Sequence, residues 1–199
     1  MTSFPSTKRP VVLAFLLIVG GVIGWYSSFE LTLAKFEVLL NPSADLSCNF
    51  SLIVQCGKNL DSWQGSVFGF PNPLLGLAAF CAPVFVGVAI LAGAKFARWF
   101  WLLFALGMTG GLALVIWLLS QSIFSLGTLC PWCMVVWSVT IPMFWAVILY
   151  CLSQGVIPTT GAARRFFRAA YGWVPFITVA SYLVIALIAQ LRLDVLSYL

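Results

Sequence analysis

Five separate runs of apolar residues limit what this chain can become. They cover about residues 11–33, 74–94, 99–121, 130–152 and 172–190. Each is close to the ~20 residues that carry a helix across the hydrocarbon core of a bilayer. The rest of the chain cannot dilute them: 62% of it is hydrophobic, 8% is charged, and the mean hydropathy is +1.08. This is the composition of an integral membrane protein, and the fold class expected is an all-α membrane protein. The first run begins like a signal peptide. It runs too long and lacks a clean small-residue cleavage site, so it reads as a retained span. Gly20-x-x-x-Gly24 within it permits close approach of a neighbouring helix, and the third run contains Gly107-x-x-x-Gly111.

The segment 34–73 is the one long polar stretch, with Lys35, Glu37, Asp45, Lys58 and Asp61. It reads as a loop outside the bilayer, in which Leu60 to Phe68 fits a short amphipathic helix lying on the membrane. A second loop follows Leu152 and holds Pro158, Arg164, Arg165 and Arg168. With five spans, seven basic residues fall on one side: Lys8, Arg9, Lys95, Arg98, Arg164, Arg165 and Arg168. Lys35, Lys58 and Arg192 fall on the other, with all five acids (Glu30, Glu37, Asp45, Asp61, Asp194). The positive-inside rule then puts the N-terminus in the cytoplasm. The long loop, the start of the fourth span and the C-terminus face outward. The net charge of +5 is thus a mark of orientation and calls for no nucleic-acid partner.

Chemistry is narrowed by what is missing. There is no histidine. That removes the usual general base, the usual metal ligand and every Cys–His nucleophile. Five acids leave little room for paired-carboxylate catalysis. Six cysteines remain. Cys130-Pro131-Trp132-Cys133 opens the fourth span. There the free N–H groups and positive dipole of a helix start favour thiolate, and Pro131 suits the first helical position. Cys48 and Cys56 lie in the outer loop, on the same side, where disulfides persist. Cys81 and Cys151 fall within spans and read as small apolar residues.

The two outer pairs have plain readings: two structural disulfides, or one four-thiolate zinc site. A Cys-x-x-Cys bridge closes too small a loop to stabilise much, and such pairs more often serve exchange. The seven residues between Cys48 and Cys56 are wide for a zinc half-site, and an oxidising compartment disfavours one. Two pairs on one side allow a relay by thiol–disulfide exchange. No Gly-rich phosphate cradle follows a strand, so a flavin or nicotinamide has no seat. A membrane quinone is the natural electron sink, and its carbonyls need hydrogen-bond donors. Asn72 and the indole of Trp137 are the candidates near the outer edge. Taken singly, Asn72 also reads as a helix cap and Trp137 as interfacial packing.

These residues together resemble the vitamin K epoxide reductase family, in its bacterial five-span branch. The resemblance covers about residues 10–190. It rests on Cys48 and Cys56, Ser62 six residues on, Phe70-Pro71-Asn72-Pro73-Leu74-Leu75-Gly76, and then Cys130-Pro131-Trp132-Cys133. Loop pair first and Cys-x-x-Cys second is the reverse of the functionally similar DsbB group. The resemblance implies a four-helix transmembrane bundle around the quinone and a fifth flanking helix, all in one domain over 1–199, in the bacterial cytoplasmic membrane. It implies roles as well. Cys48 exchanges with a partner, Cys56 passes electrons to Cys130, and Cys133 faces a menaquinone or ubiquinone. Ser62 assists the relay, and Asn72 donates to a quinone carbonyl. Trp137 stands where animal members have tyrosine. Some bacterial relatives carry a thioredoxin-like domain after the fifth span. This chain stops at Leu199, so the expected partner is a separate DsbA-like thioredoxin-fold protein. On this reading Cys48–Cys56, or a cross-pair such as Cys56–Cys130, is oxidised. Reduction of a quinone epoxide is the rival activity. A transporter or scaffold is disfavoured because the interiors of the spans carry almost no charge.

Overall fold

The computed structural model describes residues 10–41, 46–51 and 53–197, so Lys8, Arg9 and Asp45 lie outside it. Among the described residues the chain is helical, and its nearest approach to a sheet is one isolated parallel bridge, Val54 with Leu129. In chain order the helices are α1 (Val11–Leu40), the one-turn α2 (Gly57–Asp61), α3 (Asn72–Leu91) and α4 (Arg98–Gln121), with α4 prolonged by a π-helical turn Ser122–Leu126. Then come α5 (Pro131–Ser153), α6 (Gly161–Gly172) and α7 (Val174–Leu193). Five of these, α1, α3, α4, α5 and α7, are long and apolar enough to cross a membrane. The protein is an all-α membrane protein.

Lipid is as apolar as leucine, so helices in it associate by close fit rather than by hydrophobic expulsion. The sequence supplies that fit between α1 and α3. Leu13, Leu17, Gly20, Gly24, Ser28 and Leu31 bury one stripe of α1 at helical spacing. Gly24 takes the ring of Phe80, and Gly20 lies under Met143 of α5. A Cβ on Gly87 of α3 would stand 2.6 Å from the backbone oxygen of Ala14. Gly87→Ala is therefore expected to destabilise the bundle by about 2 kcal/mol, as overpacking of a fixed backbone does. The second glycine pair behaves differently. Gly107 and Gly111 of α4 have nothing within 4 Å of a built Cβ, because they line the open space inside the bundle. Gly111→Ala should leave the melting temperature in detergent unmoved while Gly87→Ala lowers it.

Three boundaries differ from the sequence reading. α1 does not end near residue 33 but continues to Leu40. Hydropathy reports only the part of a helix in lipid, whereas its backbone bonds continue past Lys35 and Glu37. Lys35 is buried on this extension, and its ammonium donates to Leu60 O at 2.7 Å. The expected amphipathic helix at 60–68 is instead α2 followed by a 3-10 turn, Trp63–Ser66. The arginine-bearing segment read as a loop contains α6. Thr160 caps it through Ala163 N, and Phe167, Ala170 and Tyr171 pack against the core while Arg164, Arg165 and Arg168 stay outside.

α5 is the central helix, touching α1, α4, α6 and α7. α7 flanks it, with Tyr182 OH donating to Ser138 O and the Tyr182 ring edge-on to Trp137. α3 and α4 stand apart, and the space between them is the cavity described below. Arg98 Nε donates to Val156 O at 2.8 Å, and the Arg164 guanidinium lies against Gly155. These cations therefore gather at one end of α5, the full length of that helix from Cys130.

Candidate active site

Four local devices bring the outer loop onto the start of α5. The Val54–Leu129 bridge is the first: Leu129 N donates to Ile53 O at 2.7 Å, and Gln55 N donates to Leu129 O at 3.0 Å. Leu129 precedes Cys130 and Gln55 precedes Cys56, so these two bonds set both cysteines side by side. Next, Asn49 Oδ1 accepts from the N–H groups of Cys56 and Gly57 at 3.1 and 3.3 Å, which fixes the start of α2. Third, Asn59 donates to Thr128 Oγ1 at 3.0 Å and accepts from Ser122 Oγ at 2.9 Å, tying α2 to the π-helical turn. Thr128 is wholly buried, so this tie sits in the protein interior and not on its wet surface. Last, Lys35 holds Leu60 from the other side.

The structure carries a Cys48–Cys56 disulfide, with Cα atoms 5.8 Å apart, and leaves Cys130 and Cys133 as thiols. Cys130 Sγ lies 3.5 Å from Cys56 Sγ. Reacting atoms at that separation are already near attack distance. Cys48, Cys56 and Cys130 are 4%, 0% and 1% exposed, so the exchange centre is shut off from water in this state. Cys81 donates to Leu77 O of its own helix, and Cys151 is buried in the core cluster around Val147, away from the other four.

Cys130 is the N-cap residue of α5, in extended backbone, and its sulfur accepts from Cys133 N at 3.4 Å. The Cys133 side chain, donating to the Cys130 sulfur, is the main reason the Cys130 thiol is held below its ordinary value. Burial works against this, and backbone N–H groups of Cys133 and Trp132 assist it. The sign follows from the charge: donors stabilise the thiolate, so Cys130 ionises at lower pH than a free thiol. Cys133→Ala removes the largest contribution. The ultraviolet absorbance of the Cys130 thiolate, followed with Cys81 and Cys151 replaced, should then titrate at higher pH than with Cys133 present.

Beside the cysteines is a cavity of about 790 Å³ walled by α1, α3, α4 and α5. Most of its length is apolar, with side chains such as Leu103, Leu114 and Met143. Its polar groups gather at the cysteine end, where Asn59, Ser62, Gln64, Asn72, Gln121 and Ser122 meet Cys130 and Cys133. Three residues named from sequence lie on this wall. Ser62 donates to Asn59 O at 2.8 Å, and no bond from it to a cysteine is found among the described residues. Asn72 begins α3, but its side chain does not cap that helix. Its Oδ1 accepts from Val67 N at 3.1 Å and its Nδ2 donates to Gln64 O at 2.6 Å, leaving one amide N–H for the cavity. Trp137 lies one turn beyond Cys133, half-buried between the cavity and Tyr182.

The sequence reading missed Asn49, Asn59, Gln64, Gln121 and Thr128. Each lies in or beside a loop or short turn, and none belongs to a motif. Only their convergence on one spot marks them.

The arrangement can pass electrons from a dithiol through two cysteine pairs into an apolar chamber with a polar end. Comparison with known families agrees with that chemistry: the model of the vitamin K epoxide reductase family matches residues 15–148. No curated protein matches the chain.

Proposed function

Because the chain belongs to the vitamin K epoxide reductase family, and so is a membrane oxidoreductase of thiol–disulfide and quinone chemistry, we propose that it reoxidises a DsbA-like thioredoxin-fold protein outside the cytoplasm and sends the electrons to a membrane quinone. The cation-bearing end then faces the cytoplasm and the cysteine end faces outward. The observation that carries this reading is the 3.5 Å approach of Cys130 to Cys56, with Cys133 beyond it on the cavity wall.

The steps among this chain's own residues follow from that line. A partner thiolate attacks Cys48, and the partner leaves with the disulfide as Cys48 and Cys56 become thiols. Cys48 is buried here, so the turn that carries it lifts to admit the partner. Cys56 then attacks Cys130 of an oxidised Cys130–Cys133 pair and frees the Cys133 thiol. Cys48 closes on Cys56, which releases Cys130. The result is the state seen here: an oxidised loop pair and a reduced helix pair. Closing Cys130–Cys133 again gives up two electrons and two protons, which a quinone held in the cavity would take up.

The residues fit such a group. The cavity is apolar along its length and has donors at the thiol end. Asn72 offers its remaining amide N–H there, and the indole of Trp137 stands on the same wall. Ser62 acts at one remove, by keeping the turn after α2 closed. The test is quinone reduction by a reduced thioredoxin-fold partner, with the full chain in detergent. Turnover that needs the chain supports the reading. Its absence with several menaquinone and ubiquinone analogues would sink it.

A further inference from the structure

With 12 residues, α6 is too short to cross a bilayer, yet it joins two helices that are long enough to do so. Only Gln154 to Thr160 separates it from α5, and Trp173 alone separates it from α7. Its Tyr171 ring lies 6.3 Å from that of Tyr150, in the last turn of α5. The Arg164 guanidinium rests against Gly155, just past that turn. These contacts hold α6 at the level where the spanning helices end.

The residues of α6 sort onto three faces. Phe167, Ala170 and Tyr171 pack on the core. At about 3.6 residues per turn, Arg164, Arg168 and Arg165 fall side by side on one flank, and Phe166 falls on the other. The three arginines are exposed. Phe166 is 68% exposed, and Trp173 and Phe176, at the join with α7, are 60% and 67% exposed. Aromatic rings on one flank and cations on another is the pattern of a helix lying in the plane of a membrane interface. The rings reach the acyl chains and the guanidinium groups reach the headgroups.

The charge at this end has no counter-charge. Arg98, from the start of α4, donates to Val156 O at 2.8 Å, beside the turn that Arg164 covers. Lys95 precedes Arg98 in the short link from α3. A guanidinium at a helix C-terminus has a plain reading, as a partner of its last carbonyls and dipole. That reading accounts for Arg98 and Arg164. It leaves Lys95, Arg165 and Arg168, which have no hydrogen bond or ion pair among the described residues. The described acids are out of reach. Glu30, Glu37, Asp61 and Asp194 all lie toward the cysteine end, where Leu31 of α1 packs with Cys130 and α7 ends beside Leu129.

We propose that α6 lies in the headgroup layer and binds anionic phospholipid, with Arg165 and Arg168 holding the headgroup phosphate. The two stand one turn apart on the same flank, a spacing that brings both to one group. Each presents a planar fork of donors that matches phosphate oxygens. A lipid fits better than an acidic protein because the aromatic flank sets the helix at the acyl boundary. The proposal rests on the cation-bearing end alone and stands apart from the thiol chemistry.

The test is lipid retention. The full chain is purified in a neutral detergent, and native mass spectrometry follows phosphatidylglycerol and phosphatidylcholine as each is titrated in. Wild type should hold phosphatidylglycerol about tenfold more tightly or better. Arg165→Gln combined with Arg168→Gln should weaken phosphatidylglycerol about twentyfold and phosphatidylcholine by no more than about twofold. Lysine at both positions keeps the charge and should restore most of the preference. Should the glutamine pair melt abnormally, the single variants carry the test, each expected to weaken phosphatidylglycerol about fivefold. Equal affinity of wild type for the two lipids overturns the proposal, and so does an unchanged preference in the glutamine variants. Arg192→Gln, at the cysteine end, should bind as wild type does. An equal loss there would mean that net charge alone draws the lipid, which overturns the site. Inorganic phosphate at matched concentration should leave phosphatidylglycerol bound. Its displacement would mark a free-anion site and overturn the lipid as occupant.

Discussion

Cys130→Ser should stop quinone reduction by the reduced partner, lowering the rate about a thousandfold or more, the scale of losing a covalent participant in a concerted set. Its Sγ lies 3.5 Å from Cys56 Sγ, and it is the partner with which Cys133 can close a disulfide. Ser keeps the cap position but is no nucleophile toward a disulfide at neutral pH. The loss should fall on turnover and spare the fold. Melting in detergent is therefore expected to stay close to wild type, and the Cys48–Cys56 disulfide should still form, as mass spectrometry of the purified protein would show. Near-normal quinone reduction by Cys130→Ser would remove the relay outright.

Leu129→Pro is the second large expected effect, and it acts on no reacting atom. Proline has no N–H, so the bond from Leu129 N to Ile53 O is lost and the bridge to Val54 is weakened. Cys56 and Cys130 depend on that bridge for their register. A shift of about 1 Å at reacting atoms can cost about a hundredfold in rate, and a fall of that order is expected in the exchange between them. Doubling Cys48→Ala with Cys133→Ala leaves Cys56 and Cys130 as the two thiols at the site. In that background the pair should cross-link readily in air, and adding Leu129→Pro should suppress the cross-link by about the same factor on a non-reducing gel. Full cross-linking in the Pro variant would show that the bundle alone sets the register.

Much of this architecture is legible in the sequence because membrane helices announce themselves by length and hydropathy. The thiol placement is legible for a related reason: a Cys-x-x-Cys at the head of an apolar run has only one end of a helix on which to sit. What hydropathy cannot see is a helix leaving the lipid. α1 therefore continues past Lys35 to Leu40, and α6 hides among arginines whose apolar partners, Phe167, Ala170 and Tyr171, recur at helical spacing. The glycine pairs divide on the same ground. Gly20 and Gly24 pack, whereas Gly107 and Gly111 line a void, and nothing local to either motif distinguishes them. The polar end of the cavity is the least legible part. Asn59, Gln64 and Gln121 lie on three separate segments, and each acquires meaning only from the others.

The isolated rung between Val54 and Leu129 also has a bearing on how the protein is made. The thiols it aligns are 74 residues apart in the chain, with α3 and α4 between them. Contacts of such long range form late, after the nearer ones have closed the intervening chain. On the relay proposed above, the loop cysteines therefore gain an outlet for their electrons only after α5 has packed against them.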